Sequence, residues 1–409
     1  MSDKVAVENL FKIFGDDPDQ ALELLKQGKD KDEILDETGM TVGVQDTSFS
    51  VKEGEIFVVM GLSGSGKSTL IRMLNRLIEP TSGAVKIDDK DITQMSGEEL
   101  RQIRLKQMSM VFQHFALFPH MTVAENVAYG LKVRGVSADE RREKALNALE
   151  QVGLRAWGDR PPSDLSGGMQ QRVGLARGLA VDPEILLMDE PFSALDPLIR
   201  RDMQGELLEL QREVHKTIVF ITHDLNEALI LGDRIAIMKE GKFVQVGTPQ
   251  EIVADPADDY VRAFTEDVDR SRVFTAETVM KDPETVSLSD TSAKQAAKRM
   301  EELDRHGIYV TKNGDIAGVL RYSDCVDSQG TNGTDVSDIL ITDYPKTEPD
   351  THLFEVYRQC AKGVPIAVMK DGDFVGVVEP LHVFEALSGG DEERTKEAAE
   401  KIAAEAAEA

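Results

Sequence analysis

Alternating apolar and polar positions open the chain. VAVENLFKIFG, from Val5, is rich in β-branched and aromatic residues, and its spacing predicts the opening strand of a pair. From Asp16 to about Met40 the period changes. Ala21, Leu22, Leu24 and Leu25, then Ile34 and Leu35, fall at helical spacing between turn residues, which predicts one or two short amphipathic helices interrupting a β-rich region. SFSVKEGEIFVVMGLSGSGKSTLIRMLNRL then reads as apolar strand, Gly-rich loop and helix, in that order. Residues near Gln113 to Leu165 read as mainly helical. Beyond them ILLMDEP, TIVFITHD and RIAIMKEGKFVQVG supply apolar strands separated by helical patterns, the texture of an α/β core.

After DDYVRAFTEDVDR the elements shorten, and a repeat spaced by about 58 residues emerges. GIYVTKNGDIAGVL from Gly307 matches PIAVMKDGDFVGVV from Pro365: Lys312 falls on Lys370, Gly314 on Gly372, Asp315 on Asp373 and Gly318 on Gly376. Each half is apolar strand, Asn-Gly or Asp-Gly turn, apolar strand, which predicts a β-hairpin. The end, GGDEERTKEAAEKIAAEAAEA, is Ala/Glu-rich without a large apolar face and is expected to be a frayed helix or a disordered acidic tail.

Composition narrows the classes. A chain of 409 residues exceeds what one hydrophobic core usually organises, so two or three domains are expected, and 41% hydrophobic with 30% charged residues excludes wholesale disorder. Lys and Arg total 47 against 74 Asp and Glu, a net charge of -27, which disfavours nucleic acid as a partner and suits solubility or a salt-rich cytoplasm. Cys325 and Cys360 stand far apart without ligand-spaced neighbours, so neither a disulfide framework nor a zinc site is expected. The start, MSDKVAVENLFKIFGDD, lacks signal-peptide character, and no apolar run approaches the roughly 18 residues that cross a bilayer. The expectation is a cytosolic chain that touches a membrane only through a partner.

The chemistry is carried by a few segments. Gly61, Leu62, Ser63, Gly64, Ser65, Gly66, Lys67 and Ser68 fit G-x-x-x-x-G-K-[ST] between strand EIFVVM and helix STLIRMLNRL, the context a phosphate-binding loop needs. Glycines let backbone N–H groups converge on phosphate oxygens, the helix N-terminus adds its dipole, Lys67 reaches the β and γ phosphates, and the Ser68 hydroxyl ligates Mg²⁺. The plain alternative is a flexible Gly/Ser loop. Downstream, strand Ile185 to Met188 ends in Asp189-Glu190. Such a pair orients the Mg²⁺ shell (Asp189) and polarises an attacking water (Glu190), or is merely a solvated strand end.

Leu165-Ser-Gly-Gly-Met-Gln-Gln-Arg172, Ser193-Ala-Leu-Asp196 and Thr222-His-Asp224 decide between these, together with Gln113 after strand MSMVF. In order and spacing the set resembles the Walker A, Q-loop, LSGGQ-type signature, Walker B, D-loop and H-loop of an ABC ATPase, over about residues 1 to 265. Met169 stands where glutamine is commoner, and Gln170 follows directly. The resemblance implies an α/β P-loop NTPase core with a helical subdomain at about 113–165, and ATP and Mg²⁺ as cofactors. It further implies that the loop through Thr69 binds ATP and that Phe14 stacks on adenine, against the alternative that Phe11 or Phe14 is core. Gln113, Ser68 and Asp189 would attend the metal, Glu190 would act as base, and His223 would hold the γ-phosphate. Ser166, Gly167 and Gly168, with Met169 and Gln170, would act in trans beside the Asp196 loop, so two copies are required.

KIFGDDPDQALELLKQGKDKDEILDETGMTVGVQD, FALFPHMTVAENVAYGL, SALDPLIRRDMQ and RIAIMKEGKFVQVGTPQEIV resemble the ATPase subunits of glycine betaine and proline betaine importers, with an insertion at about 16–40. The region from Thr275 to Leu387 resembles a tandem pair of CBS motifs, an α+β regulatory module. The implied layout is an ATPase domain at 1–265, a linker at 266–274, CBS repeats at 275–330 and 335–388, and a tail at 389–409. The implied partners are a second copy, two transmembrane permease subunits and, indirectly, an extracytoplasmic solute-binding protein or domain, at the cytoplasmic face of the cell inner membrane. For the repeats two readings stand open: an ionic-strength sensor using Lys294, Lys298 and Arg299 against anionic lipid, or a pocket for cyclic di-AMP or an adenine nucleotide. The alternatives in function are an importer for choline, carnitine or an amino acid, or a non-transport ABC ATPase. The last would need a coiled-coil insertion or paired cassettes, which the sequence lacks.

Overall fold

The computed structural model describes residues 3–113, 116–193, 195–328 and 335–388; the expectation for the tail at 389–409 lies outside the described residues. The chain divides into two compact units, 1–266 and 267–409.

The first unit carries strands β1 (Asp3–Phe14), β2 (Thr41–Lys52), β3 (Ile56–Met60), β4 (Ser82–Ile87), β5 (Lys90–Asp91), β6 (Met108–Val111), β7 (Ile185–Asp189), β8 (Thr217–Thr222), β9 (Arg234–Lys239) and β10 (Lys242–Gly247). β1 is antiparallel to both β2 and β4 within a four-stranded sheet of order β2-β1-β4-β5. The other sheet runs β10-β9-β3-β8-β7-β6 and is parallel except for β10. Every residue of β3, β7 and β8 is buried, as strands covered on both faces must be. Phe49 of β2 stacks on Phe57 of β3 with ring centroids 5.0 Å apart, so the two sheets share one core.

The segment 16–40 folds as two helices, Pro18–Lys26 and Lys31–Thr38. Asp30 forms a capping box with Glu33, and Gly39 ends the second helix at φ +70°. Ala21 and Ile34 join Ile13, Met40 and Val42 in a small core of their own, whereas Leu35 stays 45% exposed. Helices Val123–Val133, Ala138–Gln151 and Gly167–Ala180 pack on one another in the region expected to be helical and just beyond it.

In the second unit, β11 (Thr285–Ser287), β12 (Gly307–Lys312) and β13 (Asp315–Arg321) form one three-stranded sheet; β14 (Lys346–Thr347), β15 (Ile366–Lys370) and β16 (Asp373–Val378) form another in the same order. Both hairpins close on two residues with positive φ, Asn313 (+56°) and Gly314 (+95°) in one, Asp371 (+53°) and Gly372 (+93°) in the other. This is the type I′ turn that Asn-Gly and Asp-Gly favour. The Tyr309 hydroxyl donates to the Pro365 carbonyl at 2.7 Å, tying the repeats together. On the helix Ala293–Leu303, Lys298 pairs with Glu302 and Arg299 with Glu284 and Glu302, so two of the three basic residues singled out there have carboxylate neighbours. Among the described residues no helix is long and apolar enough to cross a membrane.

Candidate functional site

The parallel sheet gathers the chemistry at the carboxyl ends of adjacent strands, where open α/β sheets place their ligands. The Gly61–Ser68 loop follows β3, Asp189 and Glu190 close β7, His223 follows β8, and Gln113 lies just beyond β6. Helix Lys67–Leu74 begins at Gly66 with φ +105° and no side-chain cap, which leaves its first N–H groups to an outside acceptor. A Cβ on Gly66 would stand 2.3 Å from the Gly43 carbonyl oxygen, so the turn requires glycine.

A cavity of about 600 Å³ opens over this loop, lined among others by Phe14, Gly43, Lys67, Gln113, Glu190 and His223, with Leu62, Ser63, Gly64, Gly66, Ser68 and Thr69 as its floor. Gly61, Ser65 and Asp189 lie behind that lining, and Asp189 is fully buried. Thr41, Val42 and Gly43 also line it, a contribution that sequence reading missed. The pairing of Phe14 with Thr41 brings them there across the two-helix insertion. Phe14 itself is 41% exposed, an available apolar face.

Glu190 is the centre of the polar geometry. Gln113 Nε2 donates to its Oε2 at 3.4 Å, His223 Nδ1 lies 3.0 Å from the same oxygen, and Lys67 Nζ lies 4.0 Å from Oε1. Its backbone sits at φ +47°, a left-handed conformation that costs a non-glycine residue about 1–2 kcal/mol. It is held there by its N–H to the Ile221 carbonyl at 3.1 Å and by Ser193 Oγ donating to its carbonyl, also at 3.1 Å. Lys67 donates to the carbonyls of Gly61 (2.8 Å) and Leu62 (3.0 Å), and burial pushes its ammonium below the ordinary pKa against the attraction of Glu190 and Asp189. Ser68 Oγ donates to Asp189 Oδ1 at 2.8 Å, and Arg72 Nη2 holds Oδ2 at 3.0 Å. The Arg72 contact carried no signal in the sequence motifs.

Two hard oxygen donors, Ser68 Oγ and Asp189 Oδ1, thus lie side by side. Among the described residues no cluster of three or more His, Cys, Asp or Glu groups exists that would hold a metal alone. This donor set fits Mg²⁺, which keeps waters and substrate phosphate oxygens and takes only one or two protein groups.

Ser166 to Gln170 and Asp196 do not line the cavity. Ser166 caps helix Gly167–Ala180, accepting from Met169 N at 3.4 Å, and both Ser166 and Gly167 face solvent. Gln170 Nε2 turns inward to the carbonyls of Pro162 and Leu165.

The family description "ABC transporter" matches residues 44–193, and "CBS domain" matches 276–330. The glycine betaine/carnitine transport ATP-binding protein of Listeria monocytogenes is 52% identical over 390 residues, covering 95% of this chain and 98% of the relative. The glycine betaine/proline betaine transport system ATP-binding protein of Escherichia coli is 48% identical over 95% of this chain and 98% of its own length. The chain belongs to the glycine betaine transport ATP-binding proteins of the ABC family. A solved ATP-binding cassette, a dimer in a post-hydrolysis state with ADP and Pi, is 33% identical with a TM-score of 0.52, and the match covers 60% of this chain and 98% of that one. The fold is therefore an ABC ATPase cassette followed by a CBS module, and the cassette hydrolyses ATP to drive transport.

Proposed function

We propose that two copies of this chain sit on the cytoplasmic face of a membrane permease and power uptake of a quaternary ammonium solute such as glycine betaine or proline betaine. The observation that carries the catalytic part is the convergence of Gln113, His223 and Lys67 on the Glu190 carboxylate above the glycine loop. Phe14 stacks on the adenine of ATP, the Gly61–Thr69 loop cradles the phosphates, and Lys67 leaves its carbonyl contacts for the β and γ oxygens. Ser68 and Asp189 would hold Mg²⁺, which would supply charge neutralisation to the transferring group. Glu190 accepts the proton of the attacking water, Gln113 orients that water, and His223 fixes the γ-phosphate.

The exposed Ser166–Gly167 edge suits closure over ATP held by the second copy, so the catalytic unit is the pair. Closure and reopening move the permease between its two access states. The test is to purify the chain with its permease in lipid vesicles and measure ATP turnover with glycine betaine, proline betaine, carnitine, choline and amino acids in turn. Stimulation by a betaine supports the solute class; stimulation by amino acids alone overturns it.

For the second unit, regulation by ionic strength or a nucleotide remains the proposal. The pairing of Lys298 and Arg299 with carboxylates weighs against a free cationic row on that helix. Salt activation in vesicles with cyclic di-AMP present and absent separates the two: a curve moved by the nucleotide supports a pocket, and one moved by anionic lipid content supports the sensor.

A further inference from the structure

The mechanism above leaves a buried ionic cluster unused, one step behind His223. Glu227, 4% exposed, sits in the first turn of helix Leu225–Leu231. Its Oε2 accepts from Thr222 Oγ1 at 2.6 Å, and its Oε1 accepts from the buried Gln204 Nε2 at 3.3 Å and lies 3.6 Å from Arg200 Nε. Arg200 belongs to helix Pro197–Val214, which begins directly after Asp196. Its Nη1 reaches Asp224 Oδ2 at 3.2 Å, and its Nη2 donates to the Leu195 carbonyl at 3.2 Å.

One planar guanidinium therefore hydrogen-bonds the backbone immediately before Asp196 and the side chain immediately after His223, while its buried Nε, without a hydrogen bond of its own, stands at ion-pair distance from the carboxylate that anchors the residue immediately before His223. The imidazole of His223 is 53% exposed at its side chain, and its contact to Glu190 is 3.0 Å. Its orientation must come from the backbone on either side, Thr222 and Asp224. Both are held from the Arg200–Glu227–Gln204 group.

We propose that Arg200 is a positioning residue for ATP hydrolysis, locking the Leu195–Asp196 segment to the Thr222–Asp224 segment so that His223 is presented to Glu190 and the γ-phosphate in register with Asp196. This rests on the assignment of His223 made above. A lysine keeps the charge but presents its donors from one atom on a flexible stem, without the rigid planar fork by which Nη1 and Nη2 meet Asp224 and Leu195 separately. The cluster does not touch the glycine loop, so loss of the lock leaves nucleotide binding intact.

The test uses the full chain assembled with its permease in lipid nanodiscs. Arg200→Ala is expected to lower kcat for ATP by about 10²-fold, the loss that a misplacement of about 1 Å carries, and Arg200→Lys by about 10-fold. KM for ATP should move by less than about twofold in both. In a His223→Ala background, followed by single turnover, Arg200→Lys should add less than about twofold, because residues acting through one another are not additive. Parent kcat in the lysine variant, a KM change that accounts for the loss, or multiplicative losses in the double variant would each overturn the lock. If Arg200→Ala does not assemble, the lysine variant and its cycle with His223→Ala decide alone. A His223→Ala variant turning over at the parent rate would instead remove the His223 assignment, and the lock with it.

Discussion

Glu379 follows β16 with only 3% of its surface exposed, and neither carboxylate oxygen has a hydrogen-bond partner among the described residues. Burial pushes its pKa up to about 7, against the opposing pull of Arg305 and Lys281. In the unfolded chain a glutamate titrates near about 4.3. Between these values the folded state binds more protons than the unfolded state, so stability falls as pH rises from about 4.3 to about 7 and is flat for this group outside that window. The integrated loss is about 4 kcal/mol. Glu379→Gln removes the titration with almost no change of shape, and should match the parent near pH 4.5 and exceed it by up to about 4 kcal/mol at pH 8.

The neighbouring His382, whose imidazole burial pushes below its ordinary value, gives a slope of opposite sign, so the difference between parent and variant is the quantity to read. Urea unfolding of the full chain at pH 5, 6, 7 and 8 measures it, followed by tyrosine signals from the second unit. The sole tryptophan, Trp157, lies in the first unit and serves as an internal control that should not move. A variant whose second-unit stability keeps the parent's pH dependence would refute the reasoning.

Gly66→Ala should abolish ATP binding in a filter or fluorescence assay, because φ +105° is hostile to a side chain and the added Cβ would meet the Gly43 carbonyl at 2.3 Å. Phe14→Ala should weaken ATP binding about fivefold in the same assay, the loss of about 1 kcal/mol of ring stacking. Cys325 and Cys360 are both buried, and burial pushes their thiols up to about 11 and about 12. A thiol-exchange reagent at pH 8 should therefore label neither in the native chain and both in urea; fast native labelling would contradict the packing.

Local patterns made much of this readable. A fully apolar IFVVM followed by a glycine loop and a helix leaves few arrangements open, and Asn313-Gly314 and Asp371-Gly372 name their own turn type. What escaped was set by contacts distant in sequence. Thr41, Val42 and Gly43 reach the cavity only because β2 returns to pair with β1 after the two-helix detour, and no motif marks that register. Leu35 falls at helical spacing yet is 45% exposed, because a helix turns it about 100° away from the buried Ile34. Arg72 on Asp189, the left-handed backbone of Glu190 and the Arg200–Glu227 group likewise depend on which strands lie side by side. The signature segment was legible as a motif, but its place outside the cavity of its own chain was not.

Pairing around ATP is the claim on which the rest depends. Glu190→Gln, bound to ATP and Mg²⁺ and measured by light scattering with size exclusion, should run as a stable dimer that reverts to monomer when ATP is removed. Adding Ser166→Arg to the same chain should leave ATP binding intact and return the protein to monomer. A Glu190→Gln chain that stays monomeric at saturating ATP, or a dimer indifferent to Ser166→Arg, would contradict the account.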